Sequence, residues 1–318
     1  MAGATRYLSF YLPASITAGL FLLVQIVALL LVPQYEYFGY QAFGAQGQTN
    51  PLIPLLYVGF LILFTFLLLY IFKMKKGNLL RVIFIFIMSI SAIYVLFPVF
   101  ILLLPSFPEF DFYLSVGVMV AIAVALWLYP EWYIVDTWGF IMAAGITAIF
   151  GISLGILPAF VLLVAMAAYD FVAVYRTKHM LGVAEGAMDL NLPIMLMVPR
   201  KLGFSNFEKK GPLVKEGDEP REALYIGLGD MIIPGVLTVS LFANLPSTPV
   251  AFGLGGDLLV AASALAGALI GFVMLMRLTA RGRPQAGLPL LNTGTIIGFM
   301  VSYLVVFHNL SFGFLLHF

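Results

Sequence analysis

The chain has 318 residues, 62% apolar and 10% charged, against roughly half and a quarter in a soluble domain, so the medium that accepts its apolar surface is a bilayer. A net charge of +1 leaves no basic excess to neutralise phosphates, which argues against a nucleic-acid partner. The absence of cysteine excludes a disulfide framework, a thiol nucleophile and thiolate-held metal. His179, His308 and His317 lie far apart and form no H-E-x-x-H, so no metal site is expected.

Apolar runs of about 18 to 25 residues bounded by charge or by Pro/Gly clusters predict nine membrane spans. Their cores are residues 9–32, 52–72, 82–104, 112–129, 134–154, 156–175, 223–243, 258–276 and 288–308. A single helix over 129–175 would overshoot a ~30 Å hydrocarbon core, so the chain is expected to break near Gly151 to Pro158. The first span is followed by Val32-Pro33-Gln34-Tyr35-Glu36, which is no cleavage site, and reads as a retained helix. With nine spans, all 16 Lys and Arg fall on one side of the membrane. By the positive-inside rule that side is the cytoplasm, with the N-terminus inside and Phe318 outside. The expectation is an all-α, polytopic membrane protein in which 1–318 form one transmembrane domain and 176–222 a cytoplasmic loop. Within that loop, 192–198 (LPIMLMV) is too short to span and suits an extended segment at the membrane surface.

Two acids lie deep within these spans, Asp170 in the sixth and Asp230 in the seventh. Two buried Asp cost about 5 to 7 kcal/mol on insertion scales unless paired or hydrated. Counting from Arg176 and Arg221, they sit about 9 and about 13 Å from the same boundary. Consecutive antiparallel helices can therefore place the two carboxyls side by side, where they share one proton and titrate as a unit. That is the chemistry of an aspartic protease, and equally of a proton relay in a transporter or channel. Local sequence favours the protease. In Gly227-Leu228-Gly229-Asp230 two glycines admit another backbone, and Pro234 leaves the carbonyl of Asp230 without its in-helix donor, so a kink is expected at the acid.

Tyr169-Asp170 and Gly227-Leu228-Gly229-Asp230 resemble the YD and GxGD motifs of the presenilin and signal peptide peptidase family of intramembrane aspartyl proteases. AAYDFVAVYRTK looks like the presenilin sixth helix and IGLGDMIIPG like the signal peptide peptidase seventh. The resemblance covers the whole chain. It implies an intramembrane aspartyl endopeptidase with Asp170 and Asp230 as catalytic dyad, water as nucleophile and no cofactor. The family's Pro-Ala-Leu motif, which shapes the active site and substrate groove, is degenerate here as Ala286-Gly287-Leu288-Pro289. The resemblance carries that role to Gly287, Leu288 and Pro289, beside Tyr169, Gly227, Leu228 and Gly229; an ordinary helix-start proline is the competing reading of Pro289.

A cytoplasmic N-terminus groups the chain with presenilins, so transmembrane-helix substrates of type I orientation are expected. The LPIMLMV segment is expected to pair with unwound substrate through main-chain hydrogen bonds. Few external residues suggest no obligate protein partner, and the short loops suit a prokaryotic, archaeal included, cell membrane. Gly151-Ile152-Ser153-Leu154-Gly155 has the G-x-S-x-G spelling but no histidine nearby, so its glycines, with Gly267/Gly271 and Gly294/Gly298, are read as helix-packing positions. Gly253 to Asp257 mimics GxGD at the external end of the eighth span, where the charge of Asp257 is expected to be solvated, and His308 and His317 are expected at the outer interface.

Overall fold

A computed structural model describes residues 2–74, 77–104, 108–177, 180, 182, 183, 186, 187, 192, 195–199, 223–251, 253–279 and 285–314. Among the described residues nine α-helices follow in chain order: α1 (Ala2–Tyr37), α2 (Leu52–Lys73), α3 (Gly77–Leu103), α4 (Pro108–Leu128), α5 (Trp132–Ser153), α6 (Ile156–Phe171), α7 (Leu228–Asn244), α8 (Gly256–Thr279) and α9 (Gly287–Phe307). Among the described residues, eight helices are long and apolar enough to cross a membrane; α7, with 17 residues, is shorter. Two short strands, β1 (Met195–Pro199) and β2 (Ala223–Gly227), pair antiparallel between α6 and α7. A second small hairpin, β3 (Pro249–Ala251) and β4 (Leu254–Gly255), precedes α8.

The seventh span departs from expectation. Residues 223–227, read as the start of a helix, form strand β2, and the helix begins only at Leu228. A short aliphatic and aromatic run ended by glycine carries little helical commitment of its own, and pairing with β1 satisfies its main chain instead. The break between α5 and α6 falls where expected. Gly155 is the extended residue before α6 (φ −68°, ψ 169°), and its N–H donates to the Gly47 carbonyl at 3.3 Å. A Cβ at Gly155 would run into the carbonyl of Gln48, so this approach requires glycine.

The chain divides into two compact units, one formed by 1–21, 65–143 and 179–228, the other by 22–64, 144–178 and 229–318. In the first, α3 packs on α4, and Arg81 closes the C-terminus of α4 by donating to the carbonyls of Trp127 (2.8 Å) and Leu126 (3.4 Å). Its guanidinium also lies 5.1 Å from the centroid of the Trp127 ring.

The core of the second unit gathers Leu154, Leu162, Leu163, Val236, Leu237, Leu241, Val260 and Phe299. Its outer faces carry aliphatic side chains such as Leu30 (73% exposed), Leu56 (70%) and Val305 (67%), which in a bilayer face acyl chains. The glycine pairs read as packing positions do pack. A Cβ at Gly267 would meet the carbonyl of Gly294, and one at Gly294 the carbonyl of Gly267, so α8 and α9 touch backbone to backbone. Gly151 is closed over by the side chain of Val239 of α7.

Candidate active site

Asp170 is the penultimate residue of α6 and is 7% exposed; the chain then widens into a π-helical turn, Val172–Arg176. Asp230 is the third residue of α7 and half-buried. Both address the first step of α9. The Leu288 N–H donates to Asp170 Oδ2 at 3.1 Å. A Cβ at Gly287 would lie 2.7 Å from Asp230 Oδ2 and 2.9 Å from its Cγ. Consecutive α-carbons are about 3.8 Å apart, so two carboxyls on adjoining residues of one dipeptide are close neighbours.

The N-terminus of α9 explains this convergence. Ala286 is extended (φ −71°, ψ 120°), so the first amides of the helix have no in-helix acceptor. One of them is turned to Asp170, at the positive end of the helix dipole. Gly287 leaves room for Asp230, a matter of space rather than of backbone angle. Leu288 anchors the step by burial in the core cluster that also holds Leu162 and Met166.

Three polar side chains inside the spans brace the site, and none was singled out from sequence. Asn292 of α9 donates to the Leu163 carbonyl of α6 at 2.8 Å. The Tyr175 hydroxyl, in the π turn after Asp170, donates to Gln285 Oε1 at 2.7 Å and accepts the Ala286 N–H at 3.4 Å, tying that turn to the lead-in of α9. Gln25 of α1 donates to the carbonyl of Met231, the residue after Asp230, at 2.7 Å. Pro234 sits inside α7, which continues through it to Asn244. The signal available in sequence was a lone Gln or Asn within an apolar run, where an unmatched amide is costly.

Residues 18–308 match the family described as signal-peptide peptidase, presenilin aspartyl protease. The chain belongs to that family. A presenilin family intramembrane aspartate protease, solved in a C222 form, is 30% identical with a TM-score of 0.65, covering 92% of this chain and 99% of its own. A presenilin family intramembrane aspartate protease solved in a P2 form is 30% identical at a TM-score of 0.63, covering 91% of this chain and 96% of the other. Comparison with curated proteins finds no match. As a member of this family the chain is an aspartic endopeptidase and a multi-pass membrane protein with membrane-embedded protein substrates. Membership displaces the transporter or channel reading.

The remaining residues read by resemblance to this protease family fall as follows. Gly227 ends β2 and Leu228 opens α7, so the GxGD segment is a strand-to-helix junction rather than a weakened helix. Gly229 is exposed, and a Cβ there would meet nothing within 4 Å. Tyr169 packs half-buried against the core. Pro289 is the third residue of α9, within the first turn, where a missing N–H removes no helical bond.

Residues 195–198 of LPIMLMV are extended, as expected, but β1 already has a partner in β2. Pro193 and Ile194, residues 200–222, His179 and His317 lie outside the described residues. His308 is exposed just after α9.

One expectation about another acid is corrected. Asp257 is not solvated: it is 6% exposed, in the first turn of α8, and accepts the Ser247 hydroxyl at 2.7 Å beneath the β3–β4 hairpin. Asp136, the fifth residue of α5, accepts the Met197 N–H at 2.9 Å. Asp111, in the first turn of α4, is fully buried, and among the described residues its carboxyl oxygens have no hydrogen-bond partner. Ser153 of the G-x-S-x-G spelling donates to the Ile149 carbonyl at 2.6 Å and accepts the Ala42 N–H at 2.8 Å, a structural role.

Proposed function

We propose that Asp170 and Asp230 are the catalytic dyad of an endopeptidase that hydrolyses peptide bonds within transmembrane helices. The observation that carries this reading is the meeting of both carboxyls at the Gly287–Leu288 main chain. With one proton between them, the ionised carboxylate takes a proton from water as the water oxygen bonds to the scissile carbonyl carbon. The protonated partner donates to the carbonyl oxygen and stabilises the tetrahedral intermediate. Collapse returns a proton to the leaving amide nitrogen as the C–N bond breaks, giving a carboxyl and an amine terminus.

Gly287, Leu288, Pro289, Tyr169, Gly227, Leu228 and Gly229 are the residues that bind substrate. The open space beside Gly229 supports an approach of unwound backbone there. The whole chain, 1–318, acts as one transmembrane domain with 176–222 on the cytoplasmic side. The N-terminus is cytoplasmic and the C-terminus external, supported by the grouping of all 16 basic residues on one side. Substrates are accordingly type I helices, with no obligate protein partner.

The test places purified protein in liposomes with type I and type II helical reporters, and compares it with Asp170→Asn and Asp230→Asn. Cleavage of the type I reporter, lost in both variants, is the expected result. Cleavage persisting in either variant refutes the dyad, and equal cleavage of both reporters refutes the orientation.

A further inference from the structure

Asp136 and Gly139 stand one turn apart on α5 and so share a face. Both meet the β1–β2 hairpin. Asp136 Oδ1 accepts the Met197 N–H at 2.9 Å. Met197 lies opposite Tyr225 in the strand register, but its N–H is turned to Asp136. Ladder bonds in an antiparallel pair alternate, so they fall to Leu196↔Ile226 and Val198↔Leu224, and Met197 presents its main chain to the outer edge of β1. At Gly139 a Cβ would lie 2.8 Å from Leu196 Cδ2 and 3.3 Å from Leu228 Cδ2. The same glycine thus receives one side chain from β1 and one from the GxGD segment itself.

We propose that Asp136 and Gly139 form a clasp that fixes the β1–β2 hairpin against α5 and so sets where strand β2 hands over to α7, and that Asp136 is a positioning residue for the hydrolysis. This role rests on Asp230 acting as a catalytic acid. Asp230 follows Leu228 by two residues, too few for the chain to absorb a shift of the hairpin before reaching the acid. Within a bilayer an edge N–H without an acceptor is costly, and a carboxylate is the strongest acceptor available to hold it. The clasp also occupies the outer edge of β1, so a substrate strand pairing at Met197 would first have to displace Asp136.

The test uses full-length protein in liposomes with the type I helical reporter, and four variants beside wild type. Asp136→Ala removes the acceptor. Asp136→Asn keeps an acceptor oxygen. Met197→Pro removes the N–H, at a strand position whose N–H is outside the ladder, together with the buried Met197 side chain. The double variant Asp136→Ala with Met197→Pro reports coupling. Asp136→Ala and Met197→Pro should each lower kcat by about 10- to 100-fold with KM little changed, the scale expected of a displaced reacting group. Asp136→Asn should stay close to wild type, and the double variant should be no slower than the slower single. Wild-type kcat in Asp136→Ala or Met197→Pro, Asp136→Asn as slow as Asp136→Ala, or a double variant slowed by the product of the two, each overturns the clasp. Should Asp136→Ala fail to fold, as read by its thermal unfolding, Met197→Pro decides alone. Asp230→Asn runs alongside: activity there sinks the dyad reading, whereas an inactive Asp230→Asn beside a full-rate Asp136→Ala sinks the clasp only.

Discussion

Gly287→Ala separates catalysis from stability at a single methyl group. The new Cβ would sit 2.7 Å from Asp230 Oδ2, where ordinary contact begins at 3.4 Å, a shortfall of about 0.7 Å (3.4 − 2.7). Rotating the carboxyl does not relieve it, since Cγ at 2.9 Å and Oδ1 at 3.1 Å are also too close. Either the whole carboxyl or the start of α9 must move by about that distance. A misplacement of about 1 Å at a reacting group costs on the order of 100-fold, so kcat/KM should fall by about 10- to 100-fold, or roughly 1.4 to 2.7 kcal/mol of barrier. Helix propensity runs the other way, because alanine favours a helical position over glycine by up to ~1 kcal/mol. The thermal midpoint in detergent should therefore hold or rise while cleavage of the reporter drops. Full activity in Gly287→Ala, or a loss matched by an equal loss of folded protein, would refute the claim that this glycine exists to admit Asp230.

Two further substitutions probe the frame around the acids. Gln25→Leu removes the donor to the buried Met231 carbonyl and should lower stability by about 1 to 3 kcal/mol, read as a lower thermal midpoint; an unchanged midpoint would mean the bond contributes nothing. Gly294→Ala forces a methyl against the Gly267 carbonyl and should destabilise by about 1 to 3 kcal/mol through separation of α8 from α9, whereas Gly117→Ala, with open space around it in α4, should hold or raise the midpoint in the same thermal scan.

The parts of this fold that could be read in the sequence are those where a residue type is costly in its setting. Asp170 and Asp230 stood out because a carboxyl in hydrocarbon demands a reason, and the paired glycines of α8 and α9 because their spacing leaves a strip without side chains. The span boundaries followed from apolar runs alone and held at α2, α5, α6, α8 and α9 to within a few residues. Strand β2 was missed for the complementary reason. An apolar strand that flows into an apolar helix has no polar break between them, and Ala223 to Asn244 reads as one continuous span.

What sequence hides is the main chain. The bond from the Leu288 N–H to Asp170 and that from the Met197 N–H to Asp136 both end on an amide that every residue but proline carries, so neither leaves a mark in residue type. Gly287 was legible only through its resemblance to a family motif, because the need for space beside Asp230 arises from a residue 57 positions earlier (287 − 230). Asp136 lies near the start of its span, where sequence alone gives an acid no particular role. The strand that folds back to meet it lies some 60 residues away, and only that fold turns a boundary acid into an acceptor inside the protein.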